Sequence, residues 1–281
     1  MVYQIIQPHP ALKPFVKEYM LIHFNFSGLS GERPSKLLEA RAEQSIILYP
    51  SGVFTKVNSV LNKQLVIPPT IVQGQLLTNW YHHYPEDFKL VKIIFQPGGL
   101  FHLLGHAPTT YFTDSVTDAE SVLGKEISEI IQQLMNTEQY APMIQLVDTY
   151  LLAKFRKLKL RLEPIDRVNV LLQAGSPTFT LDYLANQSCL SYRQFERKFK
   201  ERNGVSPKLF VRIARFNRAY TIKEVHPEKD WLDIAITCGY SDYQHMVKDF
   251  KQFAGVTPVA MVHVEATSPE KMLGLHKDVV F

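Results

Sequence analysis

The residues with the clearest chemical potential are arginines and lysines concentrated between positions 191 and 223. Ten basic residues and only two acidic ones, Glu196 and Glu201, give this segment a net charge of +8, in a chain whose formal charge is +4. The rest of the 281 residues therefore carries −4. A basic segment in an otherwise acidic protein indicates a polyanionic partner, although a solvated basic helix face has the same composition.

Two of these arginines, Arg193 and Arg197, are four residues apart. On a helix this spacing puts both side chains on one face, from which guanidinium groups can donate paired hydrogen bonds to O6 and N7 of guanine. Phe195 and Phe199 repeat the same spacing on another face. The pattern predicts a helix with an apolar side against a core and a basic side in solvent.

The elements around this helix predict how it is held. A short helix, TLDYLANQ, precedes it and is capped by Thr180, and Ser191 with Gln194 three residues later predicts a capping box. A short helix, a tight turn and a second helix with an exposed basic face are typical of a helix-turn-helix, which presents its second helix to the DNA major groove.

The same arrangement occurs twice. Ala185, Cys189 and Phe199 of the first copy correspond to Ala235, Gly239 and Phe250 of the second. Between the copies, residues 206–225 predict one helix that begins near a proline. About 20 residues at ~1.5 Å each span ~30 Å, close to the ~34 Å between successive major-groove faces. One chain can therefore place two recognition helices in adjacent grooves.

These residues resemble the AraC/XylS-type transcription regulators over about residues 175–262. The shared motifs are LA-x₄-LS-x-R-x-F-x-R-x-F (184–199), G-x-SP (204–207), R-x₃-A (215–219), IA-x₃-GYSD (234–242) and F-K-x₂-AG-x-TP (250–258). Three positions depart from the family pattern: Tyr240 replaces phenylalanine, Lys248 replaces an arginine, and Cys189 replaces a small residue. Lysine cannot read guanine with a planar fork, so the Lys248 change weakens bidentate reading by the second helix.

The resemblance implies a set of DNA contacts. Residues expected to face the bases lie in the two recognition helices: Arg193, Glu196 and Arg197 in the first, and Tyr243, Gln244, Val247 and Lys248 in the second. Tyr192 and Lys200 complete the expected DNA-binding face, and Arg202, Lys208 and Lys251 are expected to contact phosphates. The alternative is that some arginines only pair with Glu196, Glu201 or Asp249 on the helix surface.

The N-terminal half predicts short strands at 17–26, 42–51, 64–74 and 88–97, which together suggest an antiparallel sandwich or small barrel. Its aromatic residues either enclose a small ligand or form core: Phe24, Phe26, Tyr49, Phe54, Trp80, Tyr81 and Tyr84. Two amphipathic helices follow, at 119–136 and from Met143 to Leu152. They form either a dimer seam or a lid on the sheet.

Segments 95–105 and 122–134 resemble the cupin-like effector domains of one branch of the same family. The expected fold is α+β with two domains: a cupin-like antiparallel barrel or sandwich followed by helices at 1–157, and an all-α domain with two helix-turn-helix units at 158–266. A C-terminal tail occupies 267–281. The expected partners are double-stranded promoter DNA, a small-molecule effector, a second copy of the chain and, for an activator, RNA polymerase.

Other chemistries have weaker support. His102 and His106 have a metal-ligand spacing but no third ligand at a fixed distance, and His82-His83 with Glu86 and Asp87 suggests a polar loop. Glycine-rich phosphate loops and nucleophile motifs are absent. We therefore expect no enzyme activity, metal or cofactor. A cupin-type metalloenzyme with an appended DNA-binding domain, and a regulator that acts without a ligand, remain the alternatives.

Only two cysteines occur, Cys189 and Cys238, and both fall in helical patterns rather than in a disulfide framework. The N-terminal segment lacks a secretory pattern, and no apolar run approaches the ~20 residues of a membrane span. We expect a cytoplasmic, bacterial-type regulator.

Overall fold

The fold is seen in a computed structural model, which describes residues 1–29, 34–51, 55–58, 63–158, 162–173, 180–275 and 278–280. The strands are β1 Val2–Ile6, β2 Val16–Asn25, β3 Ser35–Leu38, β4 Ser45–Ser51, β5 Thr55–Asn58, β6 Lys63–Val66, β7 Thr70–Gln73, β8 Trp80–His83, β9 Asp87–Phe95, β10 Val116–Asp118 and β11 Asp278–Val280. The helices are α1 Gly99–Leu103, α2 Glu120–Leu123, α3 Glu126–Met135, α4 Tyr140–Lys157, α5 Pro164–Gln173, α6 Leu181–Gln187, α7 Tyr192–Asn203, α8 Pro207–Val225, α9 Trp231–Thr237, α10 Tyr243–Phe253, α11 Pro258–Ala266 and α12 Pro269–Met272.

The strands form two sheets, one of seven strands in the order β10-β7-β4-β9-β2-β1-β11 and one of four in the order β3-β8-β5-β6. All pairings are antiparallel except that of β11 with β1. The expected class, an antiparallel sheet domain followed by an all-helical domain with a long central helix, is confirmed.

The seven-stranded sheet is buried on both faces, which explains the near-continuous apolar character of its central strands. In β2, Leu21 packs with the layer formed by α3 and α4, while Met20 and Ile22 face the four-stranded sheet. Alternate residues of a strand point to opposite faces, so one strand serves two cores. The apolar sides of α3 and α4 lie on the sheet, as the lid interpretation expects.

Two predicted elements are divided in the structure. The expected strand at 64–74 becomes β6 and β7 in different sheets, because Pro68 and Pro69 between them lack the N–H groups that a ladder needs. The expected helix at 119–136 is interrupted at Gly124, which has a φ of 82° and separates α2 from α3. The segment IDRVNVLLQAG (165–175) also has a helical pattern, which predicts a helix capped by Gly175; this glycine lies outside the described residues.

The helical domain is built around α8, whose buried face runs through Phe210, Ile213 and Phe216. Its core also includes Leu37 and Ala40 from the sheet domain, so the two domains share apolar packing. None of the described helices is long and apolar enough to cross a membrane.

Candidate nucleic-acid interface and sheet-domain cavity

The first helix-turn-helix consists of α6 and α7, and its ends are fixed by side-chain caps. Thr180 accepts from the Tyr183 N–H at 3.2 Å, and Ser191 and Gln194 form the expected capping box. The turn passes through Cys189 in the left-handed region, at a φ of 55°. Ala185 is buried where the two helices approach. The local sequence signals therefore produce the predicted unit.

The second unit, α9 and α10, repeats this design with different residues. Asp230 caps α9 through the Leu232 N–H at 2.7 Å, and Asp242 caps α10 through the His245 N–H at 2.7 Å. Gly239, with a φ of 78°, takes the turn position that Cys189 has in the first unit. The repeat predicted from Ala185 and Ala235 is thus a structural repeat.

Helix α8 contacts both recognition helices. Phe210 near its start meets Phe199 of α7 edge to face, with ring centroids 5.4 Å apart, and Phe216 meets Phe250 of α10 at 4.8 Å. Asp249, buried on α10, accepts from Arg212 at 2.6 Å and from Arg215 at 3.2 Å. Arg212 and Arg215, which are not among the expected DNA contacts, thus attach α10 to α8.

Eleven of the twelve expected DNA-binding residues are accessible in the structure. Those that are exposed are Tyr192, Arg193, Glu196, Arg197, Lys200, Lys208, Gln244, Lys248 and Lys251, and those that are half-buried are Tyr243 and Val247. Arg197 also pairs with Glu201, one turn later on α7, at 2.9 Å. An exposed pair of this kind contributes little free energy, so the guanidinium remains available to another anion.

Arg202 is the exception, and the expected phosphate contact is wrong for this arrangement of the chain. The residue is 4% exposed, and its Nε and Nη2 donate to Asp166 at 2.9 Å and to Glu163 at 2.8 Å. Its guanidinium lies 4.8 Å from the ring centroid of Phe101 in α1. Arg202 therefore joins α7 to α5 and to the sheet domain instead of facing solvent.

A cavity of about 90 Å³ lies between the two sheets of the N-terminal domain. Part of its wall is apolar and aromatic and includes Phe24, Tyr49 and Tyr84, three residues that the sequence assigned either to core or to a ligand site. Phe26 and Trp80 are buried core, and Tyr81 packs against the helical core. Phe54 lies outside the described residues.

The remaining wall carries charged groups that the sequence analysis missed. They are Lys36, Glu39, Arg41, Glu43, Lys56, Lys92 and Glu270. Burial opposes the ionisation of Glu43, but Lys92 and Arg41 outweigh it and lower the pKa of that carboxyl to about 2. Lys92 interrupts the apolar run LVKIIF, and a lysine inside a doubly buried strand was the available signal.

The histidine pairs also differ from their expected settings. His82 lies on β8 and is buried against the cavity, so the polar-loop interpretation is wrong for it. Burial and then the charge of Lys56 lower the pKa of His82 well below its usual range. His102 is buried with Nε2 at 3.3 Å from Asp166 Oδ1. Among the described residues, no group of three or more His, Cys, Asp or Glu is arranged to hold a metal ion.

Residues 184–262 match the family described as "Helix-turn-helix domain". Among curated proteins, the HTH-type transcriptional regulator ArgR of Pseudomonas aeruginosa is 34% identical over 79 residues, which are 28% of this chain and 24% of ArgR. The HTH-type transcriptional activator RhaS of Escherichia coli is 26% identical over 188 residues, 63% of this chain and 65% of RhaS. The chain thus covers less than two thirds of the length of either relative. ArgR is a transcriptional regulator, and RhaS is a transcriptional activator.

Among solved structures, ToxT of Vibrio cholerae aligns with a TM-score of 0.48 and 11% identity, over 89% of this chain and 98% of ToxT. The family match covers the part of the chain that forms the two helix-turn-helix units.

Proposed function

We propose that this chain, whose C-terminal domain is a helix-turn-helix domain of the AraC/XylS type, is a transcription regulator that reads adjacent major grooves with α7 and α10. The observation that carries the proposal is the pair of capped helix-turn-helix units, joined by one 19-residue helix, with accessible polar residues on both recognition helices. At ~1.5 Å per residue, α8 spans about 28 Å, which suits units in successive grooves.

Each recognition helix has a role in this proposal. Arg193 and Arg197 of α7 read guanine, and Gln244 of α10 suits adenine, whose N6 and N7 pair with a side-chain amide. Lys208 and Lys251 contact phosphates and fix the register without reading sequence. Arg202 is left out because it is buried in the domain interface.

The sheet domain has the role of the control domain. Its cavity is the proposed effector site, and Lys36 in the wall connects it to the helical domain by pairing with Glu265 of α11 at 3.2 Å. Control by contact with a second protomer or with RNA polymerase, without a ligand, is the second candidate. The observation in favour of the ligand is the mixed apolar and charged wall of the cavity.

The test is selection of the full-length chain on a randomised DNA duplex pool, followed by sequencing and a salt titration. We expect an enriched site with two motif blocks about one helical turn apart and a steep decrease of affinity with salt. Arg193→Ala should weaken binding by about 1–3 kcal/mol and relax the sequence at one block only.

The matched control is Arg156→Ala, which removes an exposed arginine of α4 in the sheet domain. This variant should keep both blocks and the salt dependence of the wild-type chain. Absence of any enriched sequence, or equal losses in the two variants, would overturn the proposal.

A further inference from the structure

One ammonium group in the wall of the cavity has no carboxylate beside it. Lys56 of β5 is 2% exposed, and its Nζ donates to Gln73 Oε1 at 3.1 Å. Within the part of the chain that the structure describes, no carboxylate lies within ion-pair distance of this group. A buried ammonium that keeps only one neutral hydrogen-bond partner is costly, since several kcal/mol of hydration are lost.

The other three cations of the wall are neutralised by the protein itself. Lys92 pairs with Glu43, Lys36 with Glu265 and Glu270, and Arg41 with Glu39, the last at 2.6 Å. The carboxylates around the cavity are thus placed on Lys36, Arg41 and Lys92, and none of them pairs with Lys56. A ligand that supplies one anionic group would give the Lys56 ammonium the partner that the described residues do not provide.

The rest of the cavity favours an apolar body on that anion. Phe24 and Phe88 stack at 6.2 Å, and Tyr84 meets Phe88 edge to face at 4.8 Å. Met20 and Leu90 extend the same wall. A ligand with an acid group at one end and an aromatic or branched hydrocarbon at the other matches both sides of the cavity.

The volume is sufficient for a small ligand. A cavity of about 90 Å³ exceeds the space that one water molecule needs, roughly 10–15 Å³, by a factor of about seven. A second cavity, which shares Lys36, Arg41 and Glu270 with the first, adjoins it. One ammonium with one amide neighbour also suits a single negative charge better than a phosphate dianion.

We propose that this cavity binds a small monocarboxylic acid of roughly six to ten non-hydrogen atoms, with its carboxylate on Lys56 Nζ and its apolar body against the aromatic wall. The inference rests on the control role proposed for the sheet domain and names the class of its ligand. The charge that holds the ligand comes from β5, and the apolar wall comes from the seven-stranded sheet.

The test is isothermal titration calorimetry on the full-length chain without DNA. The probes are benzoate and isovalerate, each compared with its neutral amide, benzamide and isovaleramide. We expect at least one acid to bind tenfold or more tightly than its amide. Lys56→Met should reduce this preference to about onefold, because it keeps the stem and removes the charge.

The matched control is Lys13→Met, at an exposed lysine outside the cavity, which should keep the preference for the acid. Circular dichroism verifies the fold of each variant, and Lys56→Gln replaces Lys56→Met if the latter does not fold. The proposal is overturned if neither acid is preferred over its amide, or if both Lys56 variants keep the preference. The titration contains no DNA. A negative result would therefore overturn the proposed ligand class without bearing on the proposal that α7 and α10 bind DNA.

Discussion

The protonation of Lys56 is linked to folding because its ammonium is buried without a counter-charge. Burial, reinforced by the charge of Lys92, lowers the pKa of Lys56 to about 7, whereas its usual value of 10.5 applies in the unfolded chain. Between these two pH values the unfolded state binds one proton more than the folded state, so stability increases with pH. Below pH 7 both states are protonated and this dependence disappears.

We therefore expect the free energy of unfolding of the ligand-free chain to increase by about 2 kcal/mol between pH 7.5 and 9.5, from a maximum slope of about 1.4 kcal/mol per pH unit. Urea titrations at several pH values measure it. In Lys56→Met the increase should be lost, because methionine has no titratable group. His82, Glu43 and the other titratable groups of the cavity are the same in both proteins, so the difference between the two pH profiles belongs to Lys56. If Lys56→Met keeps the pH profile of the wild-type chain, Lys56 is not the group that causes the increase of stability with pH.

At the scale of the element, the two helix-turn-helix turns use different residues for one backbone conformation. Cys189 and Gly239 have φ values of 55° and 78°. A side chain in the left-handed region costs about 1–2 kcal/mol, whereas glycine adopts it without strain but is freer in the unfolded chain. The first unit therefore carries strain that the second avoids.

Cys189→Gly should stabilise the chain by about 0.5 kcal/mol, the difference between the relieved strain and the added freedom of the unfolded state. Gly239→Ala, the reciprocal change, should destabilise it by about 1 kcal/mol. Chemical denaturation of the two variants gives both values. Destabilisation by Cys189→Gly would mean that the thiol makes contacts that outweigh its backbone strain.

At the scale of the whole molecule, the sheet domain is attached to both helix-turn-helix units. At the first junction, Thr109 and Thr113 donate to the carbonyls of Glu201 and Gly204 at the end of α7, at 3.2 and 3.1 Å. At the second junction, the Ala40 N–H donates to the Phe253 carbonyl of α10 at 2.9 Å, and Asn217 of α8 donates to the Ala40 carbonyl at 2.8 Å. The spacing of the two recognition helices is therefore coupled to the sheet domain.

The buried Arg202 network strengthens the first junction, and Arg202→Met should loosen it. Removing one partner from a buried ion pair costs about 3–5 kcal/mol, and the lower end applies because Glu163 is 40% exposed. Hydrogen–deuterium exchange should become faster in peptides covering residues 99–113 and 199–205. Peptides covering residues 34–42, at the second junction, should exchange as before.

Arg197→Met is the control for this prediction, since it removes an arginine of the same helix that is largely exposed. It should leave exchange at both junctions unchanged. Equal exchange in the two variants would mean that apolar packing, and not Arg202, holds the first junction.

The sequence determined the two helix-turn-helix units because their signals are local. Caps at Thr180 and Ser191, the proline at the start of α8 and phenylalanines at helical spacing each act within a few residues. These signals were sufficient to predict both helix-turn-helix units, their connection and the exposure of most of the proposed DNA-binding residues. The central strands β2, β4 and β9 were likewise evident from their composition.

Only the tertiary structure decided which charges point inward. Arg202 and Arg197 lie on the same helix and are indistinguishable by type, but the carboxylates that bury Arg202 are 36 and 39 residues away in the sequence. Lys56 and Lys92 belong to different sheets, and their common cavity exists because the two sheets stack. Long-range packing sets the burial of a charge, and burial sets whether that charge is accessible to another molecule or holds two parts of the protein together.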